Sequence, residues 1–208
     1  MLYPDKLIEV QEGLSLYIPD PELVRPTYEH LVSRDAATAF PFWANIWPAA
    51  IAMGNFLKQE PQWVEGKKVL ELGAGIGLPS FMMSRYAAGM IISDHSKEAV
   101  ALIEKNIRHL QLPQVSAMCI DWNHFPENIQ ADIVLLSDIN YAPAQFSSLQ
   151  SLIKSLLLQG VTVILSTPQR ITAAPFAEAL QPYVKQAVLQ SVDEMNRMVD
   201  IRILVLSI

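Results

Sequence analysis

The stretch KVLELGAGIGLP, residues 68–79, decides the fold. It begins as a short apolar run, passes three glycines at alternate positions, and continues into a second apolar segment with a proline near its start. This pattern predicts a buried strand that turns sharply into a helix, because glycines allow a tight turn and let a ligand approach the backbone. With glycines at 73, 75 and 77, the spacing differs from the G-x-G-x-x-G dinucleotide fingerprint and from the phosphate loop, which ends in Gly-Lys-Ser/Thr.

Strands and helices are predicted to alternate around this stretch. Strands are predicted at 68–72, 90–94, 115–120, 132–137, 161–166, 184–192 and 200–207, with a hairpin at 7–18 around Glu12-Gly13. Helices are predicted at 48–58, 78–86, 97–110, 144–158 and 173–181. The middle strands are apolar on both faces, which is typical of a parallel sheet covered by helices on both sides. We therefore expect an α/β fold with a doubly wound, mostly parallel, seven-stranded Rossmann-like sheet, an antiparallel last strand and an N-terminal β-hairpin extension.

Composition and charge narrow the class of protein. The chain has 208 residues, of which 51% are hydrophobic and 17% charged, which is enough to build a sizeable core. A single cysteine, Cys119, excludes an intramolecular disulfide and a cysteine-based metal cluster, and its place at the end of an apolar strand predicts a buried thiol. A net charge of −6 without a cluster of Lys and Arg argues against a nucleic-acid partner. We see no signal-peptide pattern and no apolar run of the ~18–20 residues that a membrane helix needs, so we expect a cytoplasmic protein.

The carboxylate of Glu71 gives the first indication of the ligand. A pyrophosphate beside this residue would be repelled, whereas a cationic ligand would be attracted. S-adenosylmethionine carries a sulfonium and an ammonium group and has no phosphate. The alternative is a structural glycine turn with a solvated Glu71.

Polar or aromatic residues also follow the second and third strands of the predicted sheet. Asp94 lies about twenty residues past the glycine loop, where a carboxylate can accept hydrogen bonds from both ribose hydroxyls, although it could equally cap the next helix. Asp121 and Trp122 follow the third strand. The indole offers a flat surface to an adenine ring, and neighbouring polar groups such as Asp121 can meet its amino group. The alternative for this pair is a turn aspartate beside a packing tryptophan.

The segment SDINYAP, residues 137–143, ends the fourth strand over the middle of the sheet. Asp138 and Tyr141 supply a hydrogen-bond acceptor and a donor where a transferred group would emerge. An Asx-type turn before Pro143 is the alternative. These residues occur in the expected order along the chain and share a position at strand ends, so together they indicate one ligand site.

Together these segments resemble class I S-adenosylmethionine-dependent methyltransferases. The closer resemblance is to methyltransferase family 16, which groups protein lysine methyltransferases with nicotinamide N-methyltransferase-like proteins. ELGAGIGLP resembles the first motif of that family, NIWPAA its upstream tryptophan segment, IDW its third-strand motif and SDINY its D-x-x-Y motif, over roughly residues 40–170. The resemblance implies S-adenosyl-L-methionine as the cofactor. It also implies one methyltransferase domain over 1–208, with an extension at 1–40 and a core at 41–208.

The resemblance also implies roles for individual residues. It places cofactor contacts at Trp47, Gly73, Ala74, Gly75, Asp94, Trp122 and Ser137. In similar proteins the loop faces the methionine part, the aspartate the ribose and the second tryptophan the adenine, while the serine lines the pocket beside the sulfonium. Asp138 and Tyr141 are implied at the acceptor site. The neighbouring Phe40, Phe42 and Trp43 either wall the substrate entrance or belong to the core, and we favour the core.

The implied activity is methylation of a protein lysine side chain by a monomeric enzyme. A small-molecule N-methyltransferase with a nicotinamide-like amine acceptor remains an alternative, as does a non-catalytic S-adenosylmethionine-binding module. An open, acidic acceptor mouth would favour protein lysine, whereas a closed pocket would favour a metabolite. Asn140 departs from the apolar or aromatic residue that relatives more often have before the motif's tyrosine, and we expect it to alter the acceptor pocket.

Overall fold

The computed structural model describes residues 2–194 and 196–208. Its strands are β1 (Asp5–Gln11), β2 (Leu14–Pro19), β3 (Lys68–Leu72), β4 (Gly89–Asp94), β5 (Val115–Cys119), β6 (Ile133–Ser137), β7 (Thr162–Pro168), β8 (Val184–Glu194) and β9 (Arg197–Leu206). Its α-helices are α1 (Pro21–Arg34), α2 (Pro48–Gln59), α3 (Leu78–Met83), α4 (Lys97–Leu110), α5 (Phe146–Leu158) and α6 (Ala174–Leu180). Short 3₁₀ turns lie between several of these elements, including Phe42–Ala44 and Trp122–His124.

The main sheet has seven strands in the order β5-β4-β3-β6-β7-β9-β8. Strands β3 to β7 are parallel, whereas β9 runs antiparallel to both β7 and β8. The predicted doubly wound sheet with an antiparallel last strand is therefore confirmed. The expectation of a buried Cys119 is wrong, since the thiol is exposed. Its strand, β5, is an edge strand, and Met118 beside it is also exposed.

Side chains alternate between the two faces of the central strand β3. Leu70 and Leu72 pack in the hydrophobic cluster that α5 and α6 cover. Val69 packs in the opposite cluster, which α2, α3 and α4 cover. Because successive side chains of a strand point to opposite faces, Glu71 shares the face of Val69. The helices on both faces bury the strand from Val69 to Leu72, and this explains why its side chains on both faces are mostly apolar.

The N-terminal residues add two elements outside the main sheet. The predicted hairpin is confirmed as the antiparallel pair β1 and β2, with Gly13 in the left-handed region (φ 74°) at the turn. The hairpin is fixed to α4 by Asn106, whose side chain accepts a 2.7 Å hydrogen bond from the Tyr17 amide and donates a 2.9 Å bond to the Tyr17 carbonyl. An ion pair of 2.7 Å between Lys105 and Asp5 adds a second contact.

Helix α1, the second of these elements, was absent from the sequence-based expectation. Only Val24 of this helix is buried, so the chain offers no apolar stripe at helical spacing. Pro26 lies inside the helix and further weakens the pattern. The signals that could have found it are Asp20 and Pro21, because Asp20 caps the helix and proline is favoured in a first turn.

Helix lengths otherwise follow the expected pattern closely. Ser96 caps α4 by accepting a hydrogen bond from the Ala99 amide, and the helix has the predicted bounds 97–110. Helix α3 is shorter than the predicted 78–86 and ends at Met83, after which Ser84 donates a hydrogen bond back to the Phe81 carbonyl. Within the described residues, no helix combines the length and apolar character that crossing a membrane requires.

Candidate active site

A cleft opens at the carboxyl ends of β3, β4 and β6, where a doubly wound sheet holds its ligand. It encloses about 890 Å³ of space, including solvent at its mouth. Nine of the eleven residues predicted for the site line this cleft: Trp47, Gly73, Ala74, Gly75, Asp94, Trp122, Ser137, Asp138 and Tyr141. The two that do not are Glu71 and Asp121.

The glycine loop after β3 forms the floor of the cleft. Gly73 and Gly75 have φ angles of 63° and 56°, in the left-handed region that glycine adopts most readily. A Cβ atom on Gly73 would lie 3.1 Å from Cζ3 of Trp122, and one on Gly75 would lie 3.0 Å from the carbonyl oxygen of Trp43. A side chain at Gly73 or Gly75 would therefore crowd its neighbours, and without one a ligand can approach the backbone at these two positions.

Asp94 holds this loop in place from the end of β4. Its carboxylate is almost completely buried and accepts hydrogen bonds of 2.8 Å from the Gly75 amide and 2.9 Å from the Ser96 amide. His95 also lines the cleft, and its Nδ1 lies 3.2 Å from the Asp94 carboxylate. This hydrogen bond raises the pKa of His95 and outweighs partial burial, which lowers it. Sequence reasoning overlooked His95 because it has no metal-ligand spacing.

Two tryptophans form the aromatic walls of the cleft. Trp47 precedes α2, and its indole N–H donates a 2.9 Å hydrogen bond to the Phe42 carbonyl. Trp122 follows β5 and donates to the side chain of Gln145 at 3.3 Å. Both rings are half-buried, so each presents an apolar surface to the cleft while its one polar atom is satisfied by the protein.

Ser137 lines the cleft at the end of β6. Among the described residues, its buried hydroxyl oxygen has no hydrogen-bond partner. A buried hydroxyl without a partner costs free energy, so its partner is expected to come from outside the chain, as bound water or as a ligand.

Asp138 lies next to Ser137, with φ at 54°, a conformation that Asp tolerates better than most residues. Its carboxylate is 7% exposed and forms two hydrogen bonds with the guanidinium of Arg170, one of them 2.9 Å from Nη2 to Oδ2. This hydrogen bonding, and secondarily the negative charge, raises the pKa of Arg170 further. Arg170 follows β7 and lines the cleft, and no sequence motif had indicated it.

Exposed aromatic rings flank this end of the cleft. Tyr141 and Phe42 are 47% and 49% exposed, and their ring centres lie 5.6 Å apart. Partial burial, followed by the charges of Asp94 and Asp138, raises the pKa of Tyr141, so its phenol stays protonated and can donate a hydrogen bond.

The core role that we favoured for the three aromatic residues upstream of Trp47 is therefore wrong for Phe42. This ring stands at the entrance of the cleft. Trp43 is half-buried and has both roles, since it packs against the core and lines the cleft. Phe40 is half-buried between Tyr28 of α1 and Phe42, with ring centres 5.1 Å from each.

Glu71 does not lie at the mouth of the loop, contrary to expectation. Its side chain is fully buried on the Val69 face of β3, beneath the loop, and among the described residues neither carboxylate oxygen has a well-formed hydrogen bond. The pKa of this carboxyl is raised from 4.5 to about 7, mainly by burial; the nearby hydroxyl and amide of Ser80 lower it, and the charge of Asp94 adds to the rise. A direct contact with a ligand in the cleft is not available to this side chain.

Asp121 and Asn140 also point elsewhere. The Asp121 carboxylate accepts 2.9 Å hydrogen bonds from the amide and the side chain of Asn123, and lies 3.1 Å from the ring of His124. It caps a 3₁₀ turn, which is the alternative interpretation of this residue. Asn140 is buried behind the cleft, where its side-chain oxygen accepts a 2.9 Å hydrogen bond from Thr167. It does not line the cleft, and its expected influence on the acceptor pocket stays a prediction.

The sheet order and the position of the cleft define the class of protein. Among solved structures, the fold is similar to the N-methyltransferase NodS of Bradyrhizobium japonicum WM9 in complex with S-adenosyl-L-homocysteine, with a TM-score of 0.62 and 12% identity, over 86% of this chain and 97% of that one. It is also similar to magnesium protoporphyrin IX methyltransferase of Synechocystis, with a TM-score of 0.59 and 18% identity, over 76% of this chain and 78% of that one. At these identities the likeness shows the fold alone, which is that of class I S-adenosylmethionine-dependent methyltransferases.

Sequence similarity identifies the family within that class. The model of the lysine methyltransferase family matches residues 38–186, most of the chain, and the protein belongs to this family.

Curated relatives share the central part of the chain. Histone-arginine methyltransferase METTL23 of Mus musculus is 27% identical over 138 residues, 64% of this chain and 54% of that protein. Protein N-terminal and lysine N-methyltransferase efm7 of Schizosaccharomyces pombe is 30% identical over 122 residues, 51% of this chain and 48% of that protein. Calmodulin-lysine N-methyltransferase of Arabidopsis thaliana is 30% identical over 120 residues, 53% of this chain and 40% of that protein. The matched region thus spans about half the length of these relatives, or less.

Proposed function

We propose that the protein transfers a methyl group from S-adenosylmethionine to the amine nitrogen of a lysine side chain in another protein. The observation that carries this proposal is the open acceptor end of the cleft, where Asp138 lies beside the exposed rings of Phe42 and Tyr141. The mouth is open but not acidic, because Arg170 neutralises the Asp138 carboxylate, so its openness alone supports the proposal. A long, flexible side chain can enter such a mouth while its backbone stays outside. A small metabolite is instead usually bound in a pocket that buries most of its surface.

The residues of the cleft fit the cofactor. The glycine floor admits the methionine part, the orphaned Ser137 hydroxyl offers a hydrogen bond, and Oδ2 of Asp94 retains a lone pair for a ribose hydroxyl beside its bond from the Gly75 amide. Trp122 offers a flat apolar surface for adenine, and Trp47 lies on the wall formed by the start of α2. The bound cofactor supplies the chemistry, an electrophilic methyl carbon on a sulfonium.

The chain contributes alignment and the neutral form of the nucleophile. An ammonium has no lone pair, so the acceptor must lose a proton before it can attack, and an apolar wall of aromatic rings favours the neutral amine. The protonated phenol of Tyr141 narrows the mouth, and the carboxylate of Asp138 can accept a hydrogen bond from the amine and turn its lone pair towards the cofactor. Holding the two reactants in line is the main gain that such a site offers.

The proposal is tested first by calorimetric titration with S-adenosylhomocysteine, with NAD as the control. We expect micromolar binding of the first compound and no binding of the second. Radiolabelled methyl transfer is then measured with protein extract and, separately, with a panel of small amines. Label on protein lysine after acid hydrolysis supports the proposal, label only on a small amine favours a metabolite enzyme, and cofactor binding without any transfer favours a non-catalytic module.

A further inference from the structure

We infer that Arg170 determines which nitrogen the acceptor site takes, favouring an amine and excluding a guanidinium. This inference rests on the proposed function, since it concerns the acceptor end of the same cleft. It starts from an observation that no motif predicts: the carboxylate of Asp138 is already engaged by a guanidinium of its own chain.

The geometry of this ion pair decides what remains for an acceptor. Arg170 donates from both terminal nitrogens, one to each oxygen of the Asp138 carboxylate. A guanidinium recognises a carboxylate through two parallel N–H···O hydrogen bonds, a bidentate pair. A carboxylate that already forms one bidentate pair cannot form a second one in the same plane. An incoming arginine side chain would therefore have to displace Arg170. An amine needs only one free lone pair on one oxygen, and each oxygen of Asp138 retains one.

The net charge of the Asp138–Arg170 pair also favours an amine over a guanidinium. The pair of Asp138 and Arg170 is neutral, and it is the carboxylate that is the more deeply buried, at 7% exposed compared with 36% for the arginine. A cationic acceptor gains little net attraction from a neutral pair and still loses its hydration on entering. A guanidinium is always charged at neutral pH, whereas an amine can enter in its neutral form. The neutralised carboxylate thus penalises arginine more than lysine.

The family contains relatives of both kinds, because curated members are described as acting on arginine and on lysine. The choice between the two acceptors is therefore open at the level of the family. Arg170 provides a physical reason for the amine in this chain.

The test is a binding measurement that does not depend on turnover. The protein saturated with S-adenosylhomocysteine is titrated with methylguanidinium chloride and, separately, with methylammonium chloride at equal ionic strength. Binding is followed by NMR through the indole N–H signals of Trp47 and Trp122, which line the cleft. We expect Arg170→Gln to bind methylguanidinium at least tenfold more tightly than the unaltered protein, because both oxygens of the Asp138 carboxylate are then free to accept its two N–H groups.

Two further variants make the result specific. Arg202 is exposed on β9, opposite Thr167 and outside the cleft, so Arg202→Gln removes a nearby positive charge without touching the site and should leave methylguanidinium binding unchanged. Arg170→Lys keeps a positive charge but cannot bridge both oxygens, and it should give an intermediate affinity. It also serves as the test if Arg170→Gln fails to fold.

Equal methylguanidinium affinity in the unaltered protein and the folded Arg170 variants would overturn the inference. So would tight methylguanidinium binding in the unaltered protein. These outcomes are separate from the failure of the proposed function, which would show as an absence of methyl transfer to protein lysine whatever the guanidinium affinity.

Discussion

The amide of Gly75 donates a 2.8 Å hydrogen bond to the carboxylate of Asp94, a residue nineteen positions further along the chain. This bond joins the loop after β3 to the end of β4. One contact therefore fixes the position of both the glycine floor of the cleft and the buried Asp94 carboxylate beside it. Any change to Asp94 should therefore affect both the conformation of the loop and the groups available to a ligand.

Replacing Asp94 by Ala should weaken S-adenosylhomocysteine binding by roughly 1–3 kcal/mol, because ribose hydroxyls and the Gly75 amide lose their acceptor. Calorimetry measures the change. Asp121→Ala is the matched control, since that carboxylate is exposed and lies outside the cleft. The affinity of this variant for S-adenosylhomocysteine should equal that of the unaltered protein. Unchanged affinity in Asp94→Ala would contradict the ribose assignment, and weaker binding in Asp121→Ala would return that residue to the cofactor site.

Gly75→Ala should weaken cofactor binding as well as stability. The residue has a φ of 56°, and an added Cβ would lie 3.0 Å from the Trp43 carbonyl. Gly160 is the control: its φ is 81°, but a Cβ there has no heavy atom within 4 Å. Gly160→Ala should lose only about 1–2 kcal/mol of stability from left-handed strain. If Gly75→Ala lost no more stability than this and bound S-adenosylhomocysteine normally, the close approach would be irrelevant to the site.

Glu71→Gln should stabilise the fold at neutral and higher pH. Burial raises the folded-state pKa of Glu71 to about 7 from 4.5, so its contribution to stability is fully present below about pH 4.5 and is lost as pH rises through about 7. The loss is on the order of 3 kcal/mol. Glutamine cannot ionise and avoids it, so urea unfolding should show the variant more stable at pH 8 and similar to the unaltered protein at pH 5.

The exposed Glu65 provides the control for this experiment. Glu65→Gln should change the unfolding free energy little at either pH, since a solvated carboxylate has no burial cost to relieve. Parallel stability curves for Glu71→Gln and the unaltered protein over the whole pH range would show that folding does not raise the pKa of Glu71, so that the carboxyl ionises in the folded protein as it does in the unfolded chain.

Asp138→Asn should reduce methyl transfer by at least ~100-fold, the range of a positioned side chain that handles a proton or a hydrogen bond of the nucleophile. Asparagine is the informative replacement, because it tolerates the left-handed conformation of this position (φ 54°) as aspartate does. Affinity for S-adenosylhomocysteine, measured by calorimetry, should survive. Near-normal turnover would remove Asp138 from the mechanism.

Phe42→Ala should raise the KM for a protein acceptor severalfold while leaving cofactor affinity and stability nearly unchanged, because the ring is 49% exposed at the entrance. Leu158, which is 79% exposed at the end of α5, supplies the control truncation, and Leu158→Ala should behave as the unaltered protein. A large loss of stability in Phe42→Ala would instead return this ring to the core, the role first expected for it.

Sequence patterns were informative where burial alone fixes the structure. The central strands β3, β4, β6 and β7 are mostly apolar on both faces, and their ends carry polar residues of the site. The order of residues along the chain is therefore enough to place Asp94 and Asp138 at the cleft. Glu71 could not be oriented in this way. When both faces of a strand are buried, the apolar pattern does not tell which face an intervening carboxylate will take.

Arg170 and α1 were missed for different reasons. Arg170 reaches Asp138 across thirty-two residues, and only the pairing of β6 with β7 brings the two together. Helix α1 buries little and has no helical stripe, so its signals were confined to the cap at Asp20 and the proline that follows. Tertiary pairing and helix capping leave a weaker signal in a single sequence than the periodicity of a buried helix or strand face does.

The position of β9 between β7 and β8 has a consequence for synthesis on the ribosome. Strand β8 leaves the ribosome first, yet within the part of the chain that the structure describes its one strand partner is β9, which is made after it. Until residues 197–206 emerge, β7 presents an open edge, and the alternating strand Val184–Glu194 can pack against α2 but lacks its strand partner. The nascent chain therefore completes its sheet in one late step, in which the two segments enter together as a hairpin.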